Sequence, residues 1–154
     1  LILNGPNLNL LGSREPAIYG SESYEALCQQ IQRHAAAIGC TAALLQSNHE
    51  GALIDAIQGA QGVYGGIVIN PGAYAHYSYA IYDALRCAPV PAVEVHISDI
   101  TSREPFRAVS VTAPACVRTI AGHGLDGYIE AMDYLLVHGK DTAGGACGCG
   151  GGAV

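Results

Sequence analysis

Short apolar runs of strand length alternate along this chain with stretches whose apolar positions recur at helical spacing. Leu1-Ile2-Leu3 predicts a first strand, which runs into the turn Asn4-Gly5-Pro6-Asn7. Tyr24, Leu27, Cys28, Ile31, Ala35 and Ile38 share one helical face, with Ser21 placed to cap the start and Gly39 to stop the helix. Cys40 to Gln46 predicts a second strand. Ser47-Asn48-His49-Glu50 has the spacing of a capping box ahead of a helix carrying Leu53, Ile54 and Ile57. Gly66 to Asn70 predicts a buried strand broken by Asn70-Pro71-Gly72-Ala73, and a helix with Ile81, Tyr82 and Leu85 follows until Pro89 and Pro91. Ala92 to His96 is the fourth strand, Ile97 to Pro105 a loop and Val109 to Thr112 a fifth strand. Leu125, Tyr128, Ile129, Met132, Leu135 and Leu136 mark a last amphipathic helix.

This alternation predicts an α/β fold, a flavodoxin-like three-layer sandwich with a five-stranded parallel sheet. One domain is expected over residues 1–138. Residues 139–154 form a Gly/Cys-rich tail with too little apolar surface to offset the entropy of ordering it, so disorder is expected there. Ligands of open parallel sheets bind beyond the carboxyl ends of the strands. Three strands reach that edge in polar residues: Asn4 and Asn7, then Asn70, then Glu94 and His96.

Composition narrows the chemistry. The 154 residues are 50% hydrophobic and 13% charged, with a formal net charge of −6. Scattered arginines and a single lysine, Lys140, argue against nucleic-acid binding, which needs clustered cations. With Lys140 beside the tail, neither a buried Schiff-base lysine nor a phosphate loop ending in Lys is available. The six cysteines, at 28, 40, 87, 116, 147 and 149, lack C-x-x-C spacing. Reduced thiols, no metal and a cytoplasmic location are expected. No apolar run reaches the roughly 18 residues of a membrane span, and no signal peptide is expected ahead of the first strand.

Two groupings carry candidate chemistry. Arg14 and Tyr19 share the loop bracketed by Gly12 and Gly20. A neutral tyrosine is a poor base, since at its ordinary pKa only about one molecule in a thousand is ionised at pH 7. A guanidinium in hydrogen-bond range favours the tyrosinate. Chance occurrence of both residues in a loop is the competing reading. Glu94-Val95-His96 puts a carboxylate and an imidazole on one face of a strand. Such a pair can hold an imidazolium ready to protonate a leaving hydroxyl, or can be purely structural. His76 and Ser98 add polar groups nearby, the backbone N–H groups of Ile97 and Ser98 are candidates to bind a carboxylate, and Arg103 and Arg107 are candidates for an anionic or polyhydroxylated substrate. Gly122-His123-Gly124-Leu125-Asp126-Gly127 fits G-x-G-x-x-G, but no strand with an acidic end follows it, so we read it as a tight turn. His34, His49, His123 and His138 show no metal-ligand clustering.

Taken together, these residues resemble the type II 3-dehydroquinate dehydratases over about residues 1 to 138. The resemblance rests on Asn4-Gly5-Pro6-Asn7-Leu8-Asn9-Leu10-Leu11-Gly12, Arg14-Glu15-Pro16 with Tyr19-Gly20, Gln46-Ser47-Asn48-His49-Glu50-Gly51, Ile69-Asn70-Pro71-Gly72-Ala73-Tyr74, Glu94-Val95-His96-Ile97-Ser98 and Arg103-Glu104-Pro105-Phe106-Arg107. It implies a single catalytic domain that eliminates water from 3-dehydroquinate in the anti sense, through an enolate and without a cofactor, to give 3-dehydroshikimate. By position, Tyr19 would be the tyrosinate base, Arg14 its stabiliser, Asn7 the holder of a water at the enolate oxygen, His96 the acid and Glu94 its partner. Asn70 and the backbone of Ile97 and Ser98 would take the substrate carboxylate, and His76 and Arg107 the ring hydroxyls. Asp83 matches a position that reaches a neighbouring subunit's site, and a dodecamer of four trimers is implied. Asp99 and Tyr77 depart from the usual Asn and Thr, and the Gly/Cys tail lies outside the pattern. A flavodoxin-like binding module without chemistry and an FMN-binding electron carrier are the competing classes. Neither has a reason to keep Arg14, Tyr19, Asn70, Glu94 and His96 together.

Overall fold

A strand buried on both faces must be apolar at successive positions, and Ile67-Val68-Ile69 meets that demand at the centre of the sheet. The computed structural model of the chain describes residues 1–13, 22–102 and 104–142. Five strands, β1 (Ile2–Asn4), β2 (Leu44–Gln46), β3 (Ile67–Asn70), β4 (Ala92–His96) and β5 (Arg118–Ala121), form one sheet in the order β2-β1-β3-β4-β5. Every pairing is parallel. Four helices cover it: α1 (Tyr24–Ala37), α2 (Glu50–Gln58), α3 (Tyr79–Cys87) and α4 (Asp126–Thr142).

The pleat sorts side chains between two cores. Ile2, Val68, Val93, Val95 and Ile120 meet Leu27 and Ile31 of α1 and Tyr128 and Met132 of α4. On the other face, Leu3, Ile67, Ile69 and Ala92 meet Leu53 and Ile57 of α2 and Ile81 and Leu85 of α3. Each fully buried Leu or Ile contributes about 1.5–3 kcal/mol relative to exposure, which is why the helices dock on these stripes. Register carries the sorting to the carboxyl edge. Asn4 pairs with Asn70 and lies on the α1/α4 side, whereas Ile69 pairs with Glu94, which lies on the α2/α3 side.

Several sequence expectations are corrected. The fifth strand is Arg118–Ala121, and residues 109–112 are not a strand. The Val-Ser-Val-Thr alternation at 109–112 has strand period, but its hydroxyls turn onto Glu94 and the Val111 N–H donates to Ala75 O (2.7 Å). The true edge strand buries only Ile120 fully, so it carries little apolar signal. Ser23 caps α1, accepting from Ala26 N at 3.1 Å. The capping box at Ser47 is not formed, and His49 is the N-cap of α2 without a side-chain bond. Ser47 Oγ is occupied by His49 N (2.9 Å), and Glu50 accepts from Ser78 Oγ (2.5 Å), so both halves of the box have other partners. The last helix runs through Gly139 to Thr142. Arg14, Tyr19, Ser21, Arg103 and tail residues 143–154 lie outside the described residues.

Candidate active site

Three strand ends build one pocket. The turns after β1 and β3 pack backbone on backbone: a Cβ on Gly5 would lie 2.3 Å from Pro71 O, and Gly72, at φ +60, sits 3.2 Å from Pro6 O at its own Cβ position. Glycine is required at both places. Asn7 adopts φ 66, a left-handed conformation that Asn tolerates better than most residues, and its N–H donates to Asn48 Oδ1 (3.0 Å). Gln46 Nε2 donates to Gly5 O (3.2 Å) and to Asn48 Oδ1 (3.1 Å), so the segment after β2 buttresses the turn that carries Asn7.

Asn7, Asn70, His76, His96, Ile97, Ser98 and Arg107 line the pocket. Seven of the eleven residues singled out from sequence therefore meet around one space. Glu94 stands directly behind His96, and Asp83 is exposed on α3 and is not among the lining residues. Arg14 and Tyr19 are outside the described residues, but Leu10 and Leu11, just ahead of them in the chain, form part of the pocket wall.

His96 Nε2 donates to Glu94 Oε1 at 2.7 Å, with the carboxylate fully buried and the imidazole nearly so. Ser110 Oγ donates to Oε1 (2.6 Å) and Thr112 Oγ1 to Oε2 (2.5 Å). His76 Nδ1 donates to Val109 O (2.9 Å), and its ring stacks beside that of His96 with centroids 6.4 Å apart. Arg107 is held by Glu104 (2.8 Å) and lies over the Phe106 ring. Asn70 is tied from both ends: Oδ1 accepts from Gly72 N (3.1 Å) and Nδ2 donates to Tyr128 Oη (3.0 Å). Tyr128 Oη donates in turn to Asn4 Oδ1 (2.7 Å), and Asn4 Nδ2 lies 3.5 Å from Tyr24 Oη.

Burial pushes the Tyr128 hydroxyl far up, and burial followed by nearby Cys28 pushes Tyr24 up to about 12. Both tyrosines stay neutral at physiological pH and serve as hydrogen-bonding groups, not bases. Burial, reinforced by the charge of Glu94, also pushes the Cys116 thiol up, which keeps it inert. Among the described residues no cluster of three or more His, Cys, Asp or Glu is arranged to hold a metal, and no helix is long and apolar enough to cross a membrane.

Sequence reasoning missed Ser110, Thr112 and the hydroxyl of Tyr128. The polar positions in Val109-Ser110-Val111-Thr112 held the available signal, because alternating hydroxyls beside a buried carboxylate are natural donors to it.

The architecture and pocket define a doubly wound parallel-sheet protein with a buried His-carboxylate pair at the carboxyl edge of its strands. The family described as dehydroquinase class II matches residues 1–136. A 3-dehydroquinate dehydratase of Lachnospira eligens is 53% identical over 138 residues, covering 88% of this chain and 94% of its own. One of Clostridium acetobutylicum is 53% identical over 135 residues with the same coverage. The crystal structure of a type II dehydroquinase from Butyrivibrio crossotus superposes with a TM-score of 0.86 at 52% identity, covering 88% of this chain and 94% of that one. The chain belongs to the class II dehydroquinase family.

Proposed function

We propose that the protein is a 3-dehydroquinate dehydratase that needs no cofactor. In this reading Tyr19, as tyrosinate, takes a C2 proton and the electron pair moves into the adjacent ketone as an enolate. The enolate then collapses, the C1 hydroxyl leaves, and His96 supplies the proton that makes it water. Exchange with solvent returns Tyr19 and His96 to their starting states. Arg14 stabilises the tyrosinate, and Asn7 holds a water against the enolate oxygen.

The observation that carries the reading is the His96–Glu94 pair on the same pocket as Asn7, His76 and Arg107. The buried carboxylate holds one imidazole nitrogen and so fixes the ring, leaving Nδ1 as the other ring nitrogen. Asn70 keeps one Nδ2 hydrogen beyond its bond to Tyr128, which suits donation to a substrate carboxylate beside the N–H groups of Ile97 and Ser98. His76 and Arg107 would bind ring hydroxyls. Asp83, exposed on α3, would serve a neighbouring subunit in a dodecamer of four trimers, and we place the protein in the cytoplasm.

The test is a spectrophotometric assay with 3-dehydroquinate that follows the conjugated enone of the product. No turnover at high enzyme concentration would sink the reading. Tyr19→Phe should abolish turnover while leaving the thermal melt unchanged, and near-normal turnover in that variant rules Tyr19 out as the base. Borohydride added with substrate should leave activity intact, because Lys140 is the only lysine and no imine is formed in this mechanism.

A further inference from the structure

Residues 109–112 form a strap whose two hydroxyls turn toward the acid side of the pocket. Its backbone is fixed to the short 3-10 helix Gly72–His76: Val111 N donates to Ala75 O (2.7 Å), and Val109 O accepts from His76 Nδ1 (2.9 Å). Its two hydroxyls are fixed to Glu94. Ser110 Oγ accepts from Ala113 N (3.1 Å), which leaves its own hydrogen for Glu94 Oε1 (2.6 Å). Thr112, fully buried, donates to Oε2 at 2.5 Å. With His96 at 2.7 Å, three donors converge on one carboxylate.

An ionised carboxylate only accepts, and this pattern matches it. A protonated Glu94 would have to donate to one of three groups that already donate to it. Among the described residues, the other groups that face it supply no cation: Thr119 is its register neighbour on β5, and the Cys116 thiol is held neutral by burial. His76 stacks on His96 from the far side. A buried anion without donors is strongly disfavoured, so the two hydroxyls are what allow the charge to be kept there.

We infer that Ser110 and Thr112 are positioning residues for proton donation, holding the Glu94 carboxylate in an orientation that in turn fixes the ring of His96. This rests on the reading of His96 as the acid. Neither residue lines the pocket, so their effect should fall on kcat and not on KM.

Thr112→Val removes one donor and keeps the volume. We expect kcat to fall about tenfold with KM unchanged, the scale of one weakened charge-assisted hydrogen bond, and Ser110→Ala to act in the same direction. Thr112→Ser, which restores the hydroxyl, should recover most of the loss. The hydrogen-bonded ring N–H proton of His96, assigned by its absence in His96→Asn, provides an independent spectroscopic readout. It should shift or broaden in Thr112→Val and return in Thr112→Ser. Parental kcat and an unchanged resonance in folded Thr112→Val and Ser110→Ala overturn the inference, as does an equal loss in Thr112→Ser. A moved resonance with intact kcat also overturns the inference, because His96 is then reoriented without any effect on turnover, and it removes His96 from the acid role. Thermal melts establish folding, and either single variant suffices if the other does not fold.

Discussion

Two buried polar clusters close the carboxyl edge of the sheet, one on each face, and they differ in charge. On the α1/α4 side, Asn4, Asn70 and Tyr128 form a neutral chain in which each amide and hydroxyl meets its complement. On the α2/α3 side, Glu94 takes three donors, one of them His96. Among the described residues no buried side-chain nitrogen or oxygen lacks a partner, so both clusters are complete. Completeness is therefore not what separates them. A neutral network is enough to fix two turns and hold Asn70 in place, and a buried charge is harder to keep than a neutral group. In the proposed mechanism, the charged cluster is where proton transfer takes place, while the neutral one sets the frame around it.

Substitution at the charged cluster gives the sharpest contrast. His96→Ala should lower kcat by on the order of 10²–10⁴-fold, the usual contribution of a positioned acid, and should also lower the melting temperature, because buried Glu94 loses one of its three donors. A loss below about tenfold, measured by steady-state assay, would place the acid elsewhere and remove the contrast. Tyr128→Phe tests the neutral side. Losing that hydroxyl leaves Asn4 Oδ1 without a donor and takes one acceptor from Asn70 Nδ2. Chemical denaturation should show a loss of about 1–3 kcal/mol. Activity should change mainly through a severalfold rise in KM as Asn70 loosens. A fall confined to kcat would mean that the neutral cluster takes part in chemistry after all.

The two clusters also differed in how visible they were in the sequence. Glu94 and His96 are two residues apart on a strand, so local geometry alone predicts that they share a face, and they touch. Tyr128 shows up only as one more apolar position of an amphipathic helix. Helical period reports that a side chain is buried but not what its hydroxyl meets, and its partners lie 58 and 124 residues away along the chain. The same limit hid the strap. Val109-Ser110-Val111-Thr112 alternates like a strand, and only the tertiary position of Glu94 turns those hydroxyls from solvent-facing positions into donors. The alternation of strands and helices was legible because both faces of a parallel sheet must be covered, except at the β5 edge, where Arg118 and Thr119 remain exposed.

The smallest expected effect concerns alkaline stability, which probes the tyrosines on the neutral side. Tyr24 is raised from 10.0 to about 12, first by burial, and Tyr128 is raised further in the same direction. A raised folded-state value means the native protein keeps a proton that the unfolded chain gives up. The stability this contributes is complete below about pH 10 and is lost as pH rises toward about 12. Denaturation midpoints measured from pH 9 upward should therefore fall. The fall should be shallower in Tyr24→Phe and shallower still in Tyr128→Phe, because Tyr128 is fully buried and Tyr24 is not. Thr112→Val, which alters only the charged cluster, should keep the parental slope. Parallel slopes in all four proteins would show that neither hydroxyl is kept protonated by the fold, and the neutral cluster would lose its claim to be neutral across the working range.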